Sequence, residues 1–305
     1  MDKIKKSVLA PGLIALIFIL LKISVYIDID LFTSGQGAFL ALILLQIMIF
    51  LLPAVLYCKL RSSNFSEKLR LNAIAPDKLP VTVLATFVLL LGTALLKLLI
   101  SSLGLAQESY NLYSYTVPEG SGILSTLYVV VVFAVIPAIT EEFVFRGVMQ
   151  AEYEEYGILI SLVVPSFLFS MLHGSITAFI VYFFAGMVLA FTAYLTKSIF
   201  ATAIIHIINN VFSIFVEGYV WDIFAKRENV IFVVFVLFSL FLICLIFMFS
   251  EAERIIYNLG ISNEPSPVEK LSARAWLLRL GEMMISPTYI TCTVIFLLSA
   301  IGVFR

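Results

Sequence analysis

Two histidines and an acidic residue are the side chains of this sequence whose types and positions suggest chemistry. His173 and His206 are the only histidines, and both lie in strongly apolar sequence. Glu141 begins an adjacent pair of acids at the end of another apolar run. Ionisable side chains at membrane depth cost about 2.5–3.5 kcal/mol each on insertion scales, so their presence needs a reason. Together with the amide of Asn210, they could supply a general base, a group that orients it and donors for an oxyanion.

The spacing around the acids predicts an ion pair on one helix. Residues four apart share a helix face, so Glu142 should pair with Arg146, whereas Glu141 points about 100° away and is free for another role. Pro137 lacks an N–H group, so we expect the helix to kink just before the acids. Gly147 predicts the close approach of another helix.

Each polar element also has a purely structural interpretation. The acids and Arg146 could be ordinary charges at a helix end, and His173 could cap its helix in a polar turn. His206 and Asn210, four residues apart, could form interhelical hydrogen bonds, as polar residues in membrane bundles often do. Because three unrelated explanations would have to hold at once, their joint occurrence favours a single site.

Composition identifies the broad class of the protein. Hydrophobic residues make up 62% of the 305-residue chain, charged residues 13%, and the mean hydropathy is +1.09. Several apolar stretches approach or exceed the roughly 18–20 residues that cross a bilayer as a helix. The net charge of −1 predicts no nucleic-acid partner. We therefore expect an all-α polytopic membrane protein in which residues 1–305 form a single transmembrane domain.

The apolar runs predict a bundle of about eight or nine transmembrane helices. The nine candidate spans are 7–27, 36–57, 79–103, 122–140, 158–172, 175–196, 198–217, 230–249 and 285–304. A cytoplasmic N-terminus puts 14 of the 19 lysines and arginines on the inner side, as the positive-inside rule requires. Residues 266–284 mix basic and apolar side chains and predict an amphipathic helix on the inner leaflet. Compact helices with short loops suggest a prokaryotic cell membrane.

The three motifs together resemble a known family. Glu141-Glu142-x-x-x-Arg146, Phe169-x-x-x-His173 and His206-x-x-x-Asn210 follow one another on successive apolar segments. This order is similar to that of the CPBP family, which comprises CAAX prenyl endopeptidases and bacteriocin-processing or "Abi" membrane proteins. The resemblance covers residues 122–217, which would be the catalytic core.

The resemblance implies an intramembrane endopeptidase that acts near the cytoplasmic face. Glu141 and His173 would activate the attacking water, and His206 with Asn210 would stabilise the oxyanion. The supporting ion pair would be that of the acidic motif, Glu142 and Arg146.

Zinc is an alternative to metal-free water activation. Glu141, His173 and His206 would be its ligands, since two histidines and a glutamate can bind zinc with water in the fourth position. No His-Glu-x-x-His motif occurs in the sequence, and Asn210 suits a hydrogen-bond donor better than a zinc ligand. We therefore favour a site without a metal cofactor.

The hydropathy pattern places the site residues at different depths. Glu141 falls at the inner end of span 4, His206 at mid-depth and His173 toward the outer end of span 5. They meet only if helix 4 continues past Glu141 through residues 143–149 and span 5 is short or tilted. A water-filled cavity open to the cytoplasm would then reach all of them.

Two other functions compete with proteolysis. The first is a non-catalytic bacteriocin-immunity or scaffold protein that binds a peptide in the same cavity. The second is a transporter, although the inverted repeat of many transporters is not evident. For the enzyme, the partners would be the lipid bilayer and a membrane-associated peptide or protein. A prenylated CAAX tail, a signalling peptide, a bacteriocin leader and a membrane-bound regulator are all compatible substrates.

Overall fold

The predicted all-helical fold is confirmed. The computed structural model describes residues 2–26, 36–61, 68–105, 122–220, 230–261 and 272–303, and no strand occurs within these ranges. The bundle consists of α1 (Asp2–Ser24), α2 (Gln36–Gln46, continued by Ile47–Leu51 and Leu52–Arg61), α3 (Leu79–Ser102), α4 (Ile123–Tyr156), α5 (Ile158–Leu172), α6 (Phe179–Thr196), α7 (Ile199–Phe215), α8 (Val230–Ile261), α9 (Ala273–Met284) and α10 (Pro287–Ala300).

The lengths and compositions of these helices identify a multi-pass membrane protein. Among the described residues, five helices are long and apolar enough to cross a bilayer, namely α2, α3, α4, α6 and α8. The pair α9 and α10, bent by 70° at its junction, is a sixth candidate. Three apolar helices are shorter: Leu9–Ser24 within α1, α5 and α7. The total of eight or nine spans therefore stays a prediction.

Several helices end elsewhere than the hydropathy pattern suggests. α4 is 34 residues long and runs to Tyr156, which confirms the expected continuation past Glu141. α8 likewise extends to Ile261, beyond the predicted limit of 249. The predicted amphipathic segment 266–284 contains α9, whose N-terminus is capped by the side chain of Ser272, while residues 266–271 lie outside the described part of the chain. The position of α9 on the membrane surface stays a prediction.

The site region is built where α4 meets α5, α6 and α7. α5 packs along α6 at short range because α6 has a glycine at the contact: a Cβ atom on Gly186 would lie 2.9 Å from the Cβ atom of Ser166. α4 packs against both α2 and α7. An apolar cluster from α1, α2, α4, α5 and α10 surrounds Phe145 and Phe169. A second cluster, from α3, α6 and α8 with contributions from α5 and α7, surrounds Leu189 and Ile205.

Ion pairs hold the C-terminal end of α4 to three other parts of the chain. Arg61 of α2 donates two hydrogen bonds to Glu152, at 2.6 and 3.0 Å, and the Tyr57 hydroxyl donates a third at 3.0 Å. Glu154 pairs with Arg70 and lies 3.8 Å from the Lys197 ammonium. We call this region the charged end; its members are Tyr57, Arg61, Lys68, Arg70, Glu152, Glu154, Glu155 and Lys197.

Candidate active site

The acidic motif lies in the middle of α4, between two stretches of wider helix. The α-helical section Ile136–Glu142 is preceded by a π-helical stretch, Val131–Val135, and followed by another, Phe143–Met149. Pro137, which lacks an N–H group, is the second residue after the end of the first stretch, and the helix continues through it. Such π-helical turns are rare and often occur at functional sites.

Glu142 is the centre of a buried polar network. The Arg146 guanidinium donates through Nη1 to Glu142 Oε1 at 2.6 Å, which confirms the ion pair expected from the spacing. Its Nη2 donates to the backbone carbonyl of Gly186 on α6, at 3.1 Å. His206 of α7 places Nδ1 at 2.9 Å from the same Glu142 oxygen. Both members of the ion pair are fully buried, at 0% and 1% exposure, so the network joins three helices without help from solvent.

Glu141 approaches the other side of the His206 ring. Because a carboxylate only accepts hydrogen bonds, the contact with Glu142 assigns the Nδ1 hydrogen of His206 and leaves Nε2 facing Glu141. Glu141 Oε2 lies 3.9 Å from His206 Nε2. This separation is too long for a direct hydrogen bond, but one water molecule could bridge the two atoms. The two adjacent acids thus differ in their contacts: Glu142 accepts from Nδ1 of His206, and Glu141 faces Nε2 of the same ring.

His173 lies at the C-terminal cap of α5. Gly174, which follows it, has φ of +64°, a conformation that ends a helix and that glycine adopts without strain. His173 Nδ1 lies 2.9 Å from the carbonyl oxygen of Phe169, so Nδ1 carries the hydrogen and Nε2 is unprotonated in the neutral ring. The Tyr182 ring stacks on the imidazole with the ring centroids 3.6 Å apart. The side chain is otherwise exposed.

Phe169 connects the histidine of α5 to the polar network. Its ring centroid lies 4.9 Å from that of His173 and 6.0 Å from that of His206, both edge-on. The Arg146 guanidinium lies 4.8 Å from the same centroid, within the range of a cation–π contact. Residues from all three motifs therefore surround one phenylalanine ring.

Asn210 lies one helical turn beyond His206 and is half-buried. Its Nδ2 donates to the carbonyl of Ala134, at 3.4 Å, in the first π-helical stretch of α4. A side-chain amide has two N–H hydrogens, so this bond fixes the amide and leaves the second hydrogen for another acceptor.

Several neighbours of the site could not be found from sequence spacing. Tyr182 stacks on His173, and Gln150 donates to the carbonyl of Ala190 of α6 at 2.9 Å. The close helix approach expected at Gly147 is found at Gly186 instead. A Cβ atom on Gly147 would lie 3.7 Å from Leu69, which is an ordinary contact distance. These contacts depend on how helices cross, and no motif in the sequence marks them.

The side chains named as zinc ligands do not form a ready-made metal cluster in this structure. Among the described residues, no group of three or more histidines, cysteines and acids is arranged to hold one. Both histidines hold Nδ1 in a hydrogen bond, His206 to Glu142 and His173 to a backbone carbonyl, so Nε2 is the nitrogen that each ring has available. We therefore derive no step through a metal.

Comparison with known proteins identifies the same part of the chain. Residues 123–212 match a family model described as Type II CAAX prenyl endopeptidase Rce1-like. No curated protein and no solved structure gives a match. The matched segment begins with the first residue of α4 and ends within α7, so it contains all three motifs. Residues 123–212 are therefore similar to the CAAX-type proteases of the CPBP family, which supports the resemblance carried by the three motifs.

Proposed function

We propose that the protein is an intramembrane endopeptidase that hydrolyses a peptide bond in a membrane-associated or prenylated peptide. The observation that carries this proposal is the placement of His206 between Glu142, at 2.9 Å, and Glu141, at 3.9 Å. The imidazole of His206 is fixed, and the carboxylate of Glu141 opposite it makes no direct hydrogen bond to it. One water molecule could bridge the two groups, next to Glu141 as the base. The family of the matched segment, which is a peptidase family, supports the same reaction class.

The charges of the network favour a single shared proton. Glu142 and Arg146 compensate each other, which leaves Glu141 and His206 to be balanced. An uncompensated buried charge is costly, so Glu141 and His206 hold one extra proton between them and keep the network neutral. The proton either neutralises Glu141 or converts His206 to an imidazolium that pairs with the carboxylate of Glu141. Either form provides one acid and one base side by side.

The proposed reaction starts with His206 as the imidazolium and Glu141 as the carboxylate. The water oxygen attacks the peptide carbonyl carbon while Glu141 accepts a proton from the water, with Nε2 of His173 as the second acceptor that orients it. The carbonyl oxygen becomes an oxyanion, to which the Nε2–H of His206 and the amide of Asn210 donate. Glu141 then returns its proton to the peptide nitrogen, the C–N bond breaks, and a carboxylic acid and an amine leave.

Cofactor use, orientation and substrate are parts of the same proposal. The reaction as written uses only side chains, so it needs no metal. We further propose that the N-terminus is cytoplasmic, that the cavity opens to the cytoplasm, and that the protein resides in a prokaryotic cell membrane. Its partners would then be the bilayer and a peptide anchored in it, with no nucleic acid.

A cleavage assay in labelled water tests the function. Purified protein in lipid nanodiscs is incubated with prenylated and unprenylated peptide libraries in H₂¹⁸O, and new termini are identified by mass spectrometry. We expect one ¹⁸O atom in each new carboxylate, and about 10³-fold slower formation of labelled product after Glu141→Gln. Cleavage that is equal in both proteins would overturn the site assignment. No cleavage of any peptide by the parent would instead favour a scaffold or immunity protein.

A chelator arm tests the cofactor proposal separately. We expect cleavage to persist after exhaustive treatment with EDTA and 1,10-phenanthroline, because the proposed reaction uses no metal. Loss of cleavage that returns on addition of Zn²⁺ would overturn metal-free catalysis while leaving the peptidase function intact.

A further inference from the structure

The two histidines are held in place by different means. His206 is 6% exposed and is fixed through Nδ1 by a buried carboxylate that is itself paired with Arg146. His173 is exposed, lies at the end of a helix and has a backbone carbonyl as its hydrogen-bond partner. One hydrogen bond alone leaves an imidazole free to tilt about that contact. Another interaction must therefore define the plane of the His173 ring.

Tyr182 supplies that interaction. Its ring is nearly parallel to the His173 imidazole, with an interplanar angle of 19° and a centroid distance of 3.6 Å. The edge of Phe169 meets the imidazole from another direction, at an interplanar angle of 66°. A face contact and an edge contact together restrict the rotation of the imidazole, and with the Nδ1 hydrogen bond they define its position.

The location of Tyr182 connects this contact to the acids. Tyr182 lies in the first turn of α6, which begins at Phe179, and is half-buried. α6 packs against the second π-helical stretch of α4, which directly follows Glu142. α6 also accepts the Arg146 hydrogen bond, through Gly186. The same helix thus holds the ion network and the exposed histidine.

We infer that Tyr182 is a positioning residue, whose ring holds the His173 imidazole in the orientation that leaves Nε2 unprotonated and available. The inference rests on the proposed function, because positioning has a purpose only if His173 acts on the water. The aromatic face carries the effect, and the phenolic hydroxyl is dispensable. Tyr182→Phe should therefore preserve the site, whereas Tyr182→Leu removes the stacking and keeps an apolar side chain.

The presence of only two histidines makes the contact measurable without an activity assay. Full-length protein labelled with ¹³C,¹⁵N-histidine gives two sets of ring signals in nanodiscs, which His173→Gln assigns. An aromatic face stacked on His173 shifts its ring protons upfield. We expect Tyr182→Leu to abolish this shift and leave the His206 signals in place, and Tyr182→Phe to retain it.

Kinetics test whether the contact matters for the reaction. We expect Tyr182→Leu to lower kcat about 10- to 100-fold with little change in KM, because a small displacement of a catalytic group has effects of this size. Tyr182→Phe should keep kcat close to that of the parent protein. The matched control is Phe183→Leu, since Phe183 is the next residue on α6 and contacts Phe167 and Phe179 instead of a histidine.

Each outcome supports or overturns the inference. Unchanged His173 signals in Tyr182→Leu would overturn the contact, and changed signals with an unchanged kcat would overturn its role in positioning. Equal losses in Tyr182→Phe and Tyr182→Leu would assign the effect to the hydroxyl and overturn the role of the ring. If the parent protein cleaves no peptide, the proposed function fails, and the inference of a catalytic positioning role fails with it even where the NMR spectra confirm the stacking.

Discussion

Helix α4 carries two clusters of charge that use the same residue types for different ends. Glu142 and Glu152 are ten residues apart in the sequence, which corresponds to about 15 Å along the helix axis. Each is buried and each accepts from an arginine. At the charged end, Glu152 has donors on both oxygens, from Arg61 and Tyr57. In the candidate site, Glu141 is adjacent to the paired Glu142, and its Oε2 lies 3.9 Å from Nε2 of His206.

The difference between the clusters shows how one helix separates structure from chemistry. Glu152, whose two oxygens both accept hydrogen bonds from α2, fixes α4 to that helix. Glu141, which faces an imidazole across a gap, is the acid that accepts a proton in the proposed reaction. The ion pair of Glu142 and Arg146 fixes the His206 imidazole, so Glu141 is the acid of this motif that has no direct hydrogen bond to the ring. Substitutions in the two clusters should accordingly affect different measurable properties.

The largest expected effect separates activity from stability. Glu141→Gln should lower the rate of peptide cleavage by about 10³-fold, within the range for loss of a general base, without lowering the unfolding temperature. Glu152→Gln should lower the unfolding temperature, because Arg61 loses its charged partner, and should leave the cleavage rate of the folded protein nearly unchanged. Cleavage assays and thermal unfolding in nanodiscs measure both. Similar behaviour of the two variants would contradict the comparison.

The second expected effect concerns the burial of the arginines. Arg146→Met leaves Glu142 buried without its cation and should cost about 3–5 kcal/mol of unfolding free energy. Arg61→Met should cost less, since the Arg61 side chain is 19% exposed and Tyr57 still donates to Glu152. Denaturant titration of both variants measures the difference.

A double variant sharpens this result. Combining Glu142→Leu with Arg146→Met removes both charges and should recover part of the lost stability, while peptide cleavage stays absent because His206 loses its anchor. Recovery of cleavage in the double variant would show that the buried pair is structural only.

The smallest expected effect lies at the rim of the charged end. Nζ of Lys68 lies 3.3 Å from Oε1 of Glu155, and the two side chains are 51% and 33% exposed. Lys68→Ala should change the unfolding free energy by no more than about 0.5 kcal/mol, as is usual for exposed ion pairs, and should leave cleavage unchanged. A loss as large as that of Arg61→Met would mean that the rim supports α4 as strongly as the buried pair does.

Periodicity along single helices was the most informative part of the sequence. The four-residue spacing of Glu142 and Arg146 predicts their ion pair, and the apolar residues 143–149 predict the continuation of α4; the structure contains both. The order of the three motifs also predicts which helices meet. Each of these results depends only on neighbours along one helix or on the order of segments in the chain.

Contacts between helices were beyond the reach of the sequence. The pairing of His206 with Glu142, the stacking of Tyr182 on His173 and the partnership of Tyr57 with Glu152 join residues that are distant along the chain. They depend on the crossing angles and axial offsets of helices, which a hydropathy pattern does not encode. For the same reason, the close approach predicted at Gly147 occurs at Gly186.

The shortness of α5 has a consequence for where its C-terminal end lies. Its 15 residues span about 22 Å, whereas the hydrocarbon layer of a typical bilayer is about 30 Å thick. Ten of the 15 residues are buried among neighbouring helices, so protein surrounds most of α5. A helix enclosed in this way can end inside the hydrocarbon layer, provided that the backbone groups after its last turn are buried in protein or line a water-filled cavity. A full-length helix in the place of α5 would carry the turn at Gly174 out of the layer, and His173 with it.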